Sequence, residues 1–381
     1  MKLPFVPLFE GGRFGVPQWF DADNTPMQVA EEIRNCTVFI GIPTQLGFSV
    51  AGTGFLMGVD QGDYSFCYLV TAAHLIWPGR ASDKTGTVPE GKVHLRLNRL
   101  NGASPKLIGV ENNQWRFHRD RRVDLCVLPM GALIEADDSE IDAASISLTG
   151  MALTPEKITQ FGVCVGDEIF ITGAFVGRVG ERKNIPIVRI GNIAAMPEEP
   201  ISFGSPRKPA YLIETRSLGG VSGSPVFVNL QTQRINAAPK SYDDPKGNND
   251  ATKWRAAKIL PYFLLGMLLG SHSGQYAGDF ISETDTDIFV PKDADFNAGI
   301  SVVMLVADIA EFLESDDMAK PRIAAIEEHR KVTGYKPSGA SVGQTVPSKK
   351  AEAESESDNS DHKEDFTRLL NAAAKTPPQD G

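Results

Sequence analysis

Apolar and polar positions along this chain fall into short runs rather than helical stripes. From residue 37 onward, runs rich in β-branched and aromatic residues alternate with glycine, proline and charged loops. They predict strands at 37–42, 52–57, 66–71, 92–97, 106–110 and 123–129. A segment rich in Asp, Ser and Ala (137–154) interrupts the pattern, and six more strands are expected at 168–172, 187–194, 210–215, 225–228, 259–269 and 299–305. Helical spacing enters only afterwards, at 306–314 and at 318–332, where Ile323, Ala324 and Ile326 are the apolar positions. Two sets of six strands followed by helix make an all-β chain.

The flanks and loops read differently. Residues 1–30 form a glycine- and proline-marked extension with scattered aromatics (Phe5, Phe9, Phe14, Trp19, Phe20), the kind of segment that packs along the outside of a domain. The stretch 196–209 carries four prolines, which excludes a core strand. The polar stretch 230–258 is long enough to move or to shape a cleft. Residues 336–381 have the composition of a disordered acidic tail. Within the tail, Phe366, Leu369, Leu370 and Ala373 fall at i, i+3, i+4 and i+7. That spacing fits either a frayed end or a short amphipathic helix that docks a partner protein. The expected organisation is therefore an extension (1–30), a first strand set (31–150), a second (151–315), a helix (316–335) and the tail (336–381).

At 381 residues and 41% apolar, the chain has material for one large or two moderate cores. Its formal charge of −10 argues against a nucleic-acid binder. Most of that charge is local: residues 351–365 hold seven carboxylates against Lys363. The four cysteines (Cys36, Cys67, Cys126, Cys164) lie in or beside apolar runs with no close pair, so they read as small buried hydrophobes and not as zinc ligands. No metal site is expected. The N-terminal residues lack the uninterrupted apolar core of a signal peptide, and no run is long enough to span a membrane. A soluble, cytoplasmic protein in a reducing compartment is the expectation, with no membrane partner.

Chemistry concentrates in three stretches. Leu218-Gly219-Gly220-Val221-Ser222-Gly223-Ser224-Pro225-Val226-Phe227 sets a serine in a glycine-dense turn that leaves as a strand. Alone it is either a plain tight turn or a nucleophile with backbone N–H groups beside it. Tyr68-Leu69-Val70-Thr71-Ala72-Ala73-His74 is an apolar strand that ends in small residues and then a histidine. Val123-Asp124-Leu125-Cys126-Val127-Leu128 puts one carboxylate at the head of an apolar strand. Asp124 is costly to bury without a hydrogen-bonding partner, and the His74 imidazole would be that partner. Asp120 is the rival carboxylate, but its Arg119-Asp120-Arg121-Arg122 setting reads as a solvated ion-pair loop.

In order and approximate spacing these motifs resemble those of trypsin-like (chymotrypsin-fold) serine peptidases, of the bacterial type without disulfides. The likeness covers about residues 33–314. It implies two six-stranded antiparallel β-barrels with the cleft between them. It also implies a triad of His74 as general base, Asp124 as its orienter and Ser222, in preference to Ser224, as nucleophile. The N–H groups of Gly220 and Ser222 would form the oxyanion hole. The substrate is expected to be a protein or peptide, with no cofactor. By the same resemblance Arg216 falls at the base of the primary specificity pocket and His272 beside its wall. Two cations there would suit an acidic or polar residue at the cleavage site; otherwise Arg216 points to solvent or pairs with Glu214 and His272 only lines a turn. With no carboxylate at the base, cleavage after Lys or Arg is not expected. Val221 stands where digestive members carry an aspartate that pairs with a newly cut amine, so no zymogen activation is expected. The competing readings are a protease-fold scaffold that binds peptides or partner proteins without turnover, and an esterase-like hydrolase on another fold. The order with serine last, and the lack of a Gly-x-Ser-x-Gly elbow leading into a helix, argue against the esterase.

Overall fold

The computed structural model describes residues 31–45, 47–62, 64–100, 102–132, 141–201, 208–215, 220–230, 262–273 and 297–333. The expected extension, the 230–258 loop and the tail lie outside the described residues, apart from Leu230.

The first half contributes β1 (Thr37–Thr44), β2 (Gly47–Gln61), β3 (Tyr64–Thr71), β4 (Lys92–Leu97), β5 (Lys106–Glu111), β6 (Arg116–Phe117), β7 (Cys126–Pro129) and β8 (Ile146–Ser147). They form one sheet in the order β5-β4-β1-β2-β3-β7-β6, with β8 parallel to β2. The six expected strands are all present. The ladder does not close, because β7 pairs onward only to the two-residue β6, leaving β5 and β6 as edges. Its own core gathers Val38, Ile40, Leu56, Leu69, Leu95 and Trp115.

The second half contributes β9 (Glu168–Gly173), β10 (Ile187–Ala195), β11 (Pro200–Ile201), β12 (Lys208–Pro209), β13 (Tyr211–Glu214), β14 (Pro225–Asn229), β15 (Tyr262–Ser273) and β16 (Asn297–Leu305). Six of these close a barrel in the order β10-β13-β16-β15-β14-β9, while β11 and β12 make a small separate hairpin from the proline-rich stretch. Inside the barrel Phe170 stacks on Phe227 at 5.0 Å, and Tyr262 meets Phe170 edge-on at 5.5 Å. Burying each such ring stabilises the fold by about 1.5–3 kcal/mol. A half-barrel sheet and a closed barrel with helices at the end make the two-barrel, chymotrypsin-like architecture.

Five α-helices are present among the described residues: α1 (Glu31–Asn35), α2 (Leu148–Met151), α3 (Pro155–Phe161), α4 (Val306–Glu314) and α5 (Asp316–Thr333). The Asp-, Ser- and Ala-rich segment between the strand sets thus holds β8 and α2, whose Leu148 and Met151 are buried. Local signals explain α3: Thr154 caps it by accepting from the Lys157 N–H, Pro155 occupies the first turn, and Gly162 ends it at φ 58°. The helix α4 buries Val306, Ile309, Phe312 and Leu313. From there α5 runs back to the first sheet. Arg322 donates to Gln61 Oε1 at 2.9 Å, to the Leu313 carbonyl at 2.7 Å and to the Tyr68 hydroxyl at 3.3 Å.

Candidate active site

The strand β3 is buried to its end at Thr71, and Ala72 and Ala73 are almost fully covered. The chain then turns through a short 3-10 segment, Ala73–Leu75, that carries His74 with its side chain 42% exposed. Asp124 precedes β7 and meets His74 twice. His74 Nδ1–H donates to Asp124 Oδ2 at 2.6 Å, and the His74 backbone N–H donates to Oδ1 at 2.8 Å. One carboxylate thereby fixes both the ring and the backbone that carries it. With Nδ1 committed as donor, Nε2 is the basic nitrogen. Burial alone lowers the basicity of His74, but the hydrogen bond and charge of Asp124 outweigh it, and the net shift is upward.

Ser222 comes from the other barrel. Its turn has two left-handed glycines, Gly220 at φ 94° and Gly223 at φ 81°, and the Ser224 N–H closes it on the Val221 carbonyl at 3.0 Å. At Gly223 a Cβ would lie 2.1 Å from the Thr53 carbonyl oxygen, 2.4 Å from Thr71 Oγ1 and 3.3 Å from the Ala72 nitrogen. The turn therefore rests on Thr53 of β2 and on the end of β3 at Thr71, three residues before His74. Neither the Gly220 nor the Ser222 N–H has a backbone acceptor among the described residues. Ser222 Oγ makes no hydrogen bond to the His74 ring.

Thr53 joins the halves. Its N–H donates to the Ser222 carbonyl at 2.9 Å and its hydroxyl to the Gly220 carbonyl at 2.8 Å. The same hydroxyl accepts from the Ala174 N–H at 2.9 Å, and the Thr53 carbonyl accepts from Thr71 Oγ1 at 2.7 Å. This role was not read from the sequence, although Gly52-Thr53-Gly54 carried a signal. Glycines flanking a polar residue within a buried strand mark a close backbone approach. A Cβ at Gly52 would lie 2.4 Å from Leu75 Cδ1 and 3.1 Å from the Ser222 carbonyl oxygen.

A second missed residue is Arg96 on β4, 6% exposed. It donates to Asn184 Oδ1 at 2.8 Å and to the carbonyls of Gly180, Glu181 and Val179 at 2.6, 3.1 and 3.3 Å. It thereby pins the β9–β10 loop to the first sheet. The same loop carries Val176, whose Cγ2 would be 3.1 Å from a Cβ at Gly220.

Of the two specificity candidates, Arg216 lies outside the described residues. His272 is on β15 at a break in register between Ser271 and Ser273. The cysteines need one correction. Cys36 and Cys126 are buried and Cys67 is half-buried, but Cys164 is exposed. It follows α3 in a polar turn, where its N–H donates to Asp167 Oδ2 at 2.8 Å. Among the described residues no cluster of His, Cys, Asp and Glu is placed to hold a metal ion, and no helix is long and apolar enough to cross a membrane.

No protein-family model matches the sequence, and no curated protein matches it significantly. Solved structures do align. The MamO protease domain from Magnetospirillum magneticum, in its apo form, is 12% identical with a TM-score of 0.41, over 74% of this chain and 98% of that one. The HtrA-type protease AlgW, with a decapeptide, is 13% identical with a TM-score of 0.38, over 75% of this chain and 64% of that one. At such scores the likeness carries no argument about this chain's chemistry, which rests on its own geometry.

Proposed function

We propose that this chain is a serine endopeptidase acting through His74, Asp124 and Ser222. The observation that carries the reading is the doubly held His74–Asp124 pair just beyond β3, against whose end the glycine-rich Ser222 turn packs at Gly223. In this mechanism Nε2 of His74 takes the Ser222 proton as Oγ attacks the peptide carbonyl, and Asp124 offsets the imidazolium charge. The Gly220 and Ser222 N–H groups stabilise the developing oxyanion. Removing one such donor typically costs on the order of a hundredfold in rate. His74 then protonates the leaving amine, and water repeats the cycle on the acyl-enzyme. Val221, buried at 3% exposure, has no charge to pair with a newly cut N-terminus, so activity is expected without proteolytic trimming. The proposed substrate is a cytoplasmic protein or peptide, and no cofactor enters any step.

The missing hydrogen bond from Ser222 Oγ to His74 favours a second reading, a protease-fold scaffold that binds peptide without turnover. Reaction with a fluorophosphonate probe, read by intact mass, decides between them. The peptidase reading expects one adduct on Ser222 in the wild type, lost in Ser222→Ala and in His74→Ala. A folded wild type that stays unlabelled overturns it and leaves the scaffold.

A further inference from the structure

Six residues beyond His74, the chain buries an arginine. Arg80 is 5% exposed. Its guanidinium faces a single segment and takes four of its carbonyls. Nη1 donates to Arg121 at 2.9 Å, to Val123 at 3.0 Å and to Asp120 at 3.4 Å, and Nη2 donates to His118. The flat group lies over two rings, 5.7 Å from the centroid of Trp77 and 5.4 Å from that of Phe117. Those rings meet edge-on at 5.4 Å. Because Val123 directly precedes Asp124, one side chain ties the segment that begins at His74 to the segment that ends at Asp124.

We propose that Arg80 is a positioning residue for the His74–Asp124 pair. It fixes the Asp124 segment through its backbone carbonyls and places a buried cation within electrostatic reach of the carboxylate. The guanidinium suits both tasks: its planar fork matches several carbonyls at once, and it stays charged when buried. The charged and titratable groups around it are Asp120, Asp124, Arg121, Cys126 and His118. Asp120 uses both carboxylate oxygens on Arg122, at 2.9 and 3.0 Å. The Cys126 thiol stays protonated because burial pushes it well up. Burial holds His118 below the usual imidazole range, so it titrates on the acid side of His74.

The consequence for turnover rests on the peptidase reading; the linkage of Arg80 to His74 does not. Histidine NMR titration of the full chain tests the linkage. With the cation removed in Arg80→Met, the Asp124 charge acts on His74 alone, and the His74 midpoint should rise by roughly half a pH unit. Arg80→Lys keeps the charge but loses the fork. It should keep the wild-type midpoint while fluorophosphonate labelling of Ser222 slows about tenfold through looser positioning. In the wild type the Arg80 Nη–H signals should be slow to exchange and should shift as His74 titrates, a reading that survives even if a variant fails to fold. A His74 midpoint unmoved in Arg80→Met, or Arg80 signals flat through the titration, overturns the proposal. An unlabelled wild type whose His74 midpoint still rises in Arg80→Met removes the peptidase reading and upholds the linkage.

Discussion

Thr53 grips the turn of Ser222 at two points, its N–H on the Ser222 carbonyl and its hydroxyl on the Gly220 carbonyl, the latter 167 residues away in sequence. The hydroxyl is fully buried and also accepts from Ala174. Thr53→Val keeps the shape and leaves the Gly220 carbonyl and the Ala174 N–H unpaired. Losing those partners should cost about 1–3 kcal/mol in urea unfolding and should slow probe labelling of Ser222. Thr53→Ser should restore most of both.

Gly223 offers a harsher test of the same seam. Its φ of 81° suits glycine, and an added Cβ would meet backbone at 2.1 Å. Gly223→Ala should therefore lose probe labelling, with a fall in melting temperature or in soluble yield. A fully stable, fully labelled alanine variant would show that the turn sits elsewhere.

The pH dependence follows from His74. Its affinity for protons is raised because Asp124 outweighs burial. As the base must be neutral, labelling of Ser222 should rise with pH through a midpoint above the ordinary imidazole value of about 6.5. Stability runs the other way. The contribution of the pair is complete below about pH 6.5 and is lost as pH climbs through the folded-state midpoint. Asp124→Asn should shift the labelling midpoint downward and slow labelling on the order of a thousandfold or more.

Arg322 holds α5 on the first sheet through Gln61 and Tyr68, and on α4 through the Leu313 carbonyl. Arg322→Ala strands buried partners and should destabilise the fold by about 2–4 kcal/mol in denaturant titration. None of these contacts touches His74, Asp124 or Ser222, so the labelling rate per folded molecule should hold.

The cysteines separate by exposure. Cys164 should react with a thiol reagent in the native protein. Cys36 and Cys126 should wait for unfolding, and Cys67, whose thiol is pushed up to about 12 by burial, should lag far behind Cys164. Peptide mapping after a short pulse of alkylation reads the order.

Twelve strands were legible in the sequence as apolar runs bounded by glycine, proline or charge, and both C-terminal helices by the helical spacing of their apolar positions. The short pieces were not: β8 and α2 hide in a stretch of Asp, Ser and Ala, and they form because β2 offers them a free edge. His74 and Asp124, brought together here, stood in patterned surroundings. Thr53 had only its flanking glycines, which mark a close approach but not its partner 167 residues on, and Arg80 and Arg96 had no pattern, their roles being set by carbonyls about 40 and 83 or more residues away. No local pattern announces a partner at that range. Cys164 was misjudged because an apolar neighbour, Val163, is buried while the turn that follows carries the thiol outward.

The return of α5 to the first sheet has a consequence for how the protein is made. Tyr68 waits for Arg322, 254 residues later, and Tyr64 for His329, 265 residues later. A ribosome adding about 5–20 residues each second leaves that face of the emerging sheet uncovered for many seconds. The second barrel cannot close before β16 is made, and α5 follows β16 almost at once. That face of the first sheet is therefore among the last surfaces of the fold to be covered, and until then it is the face a chaperone would meet.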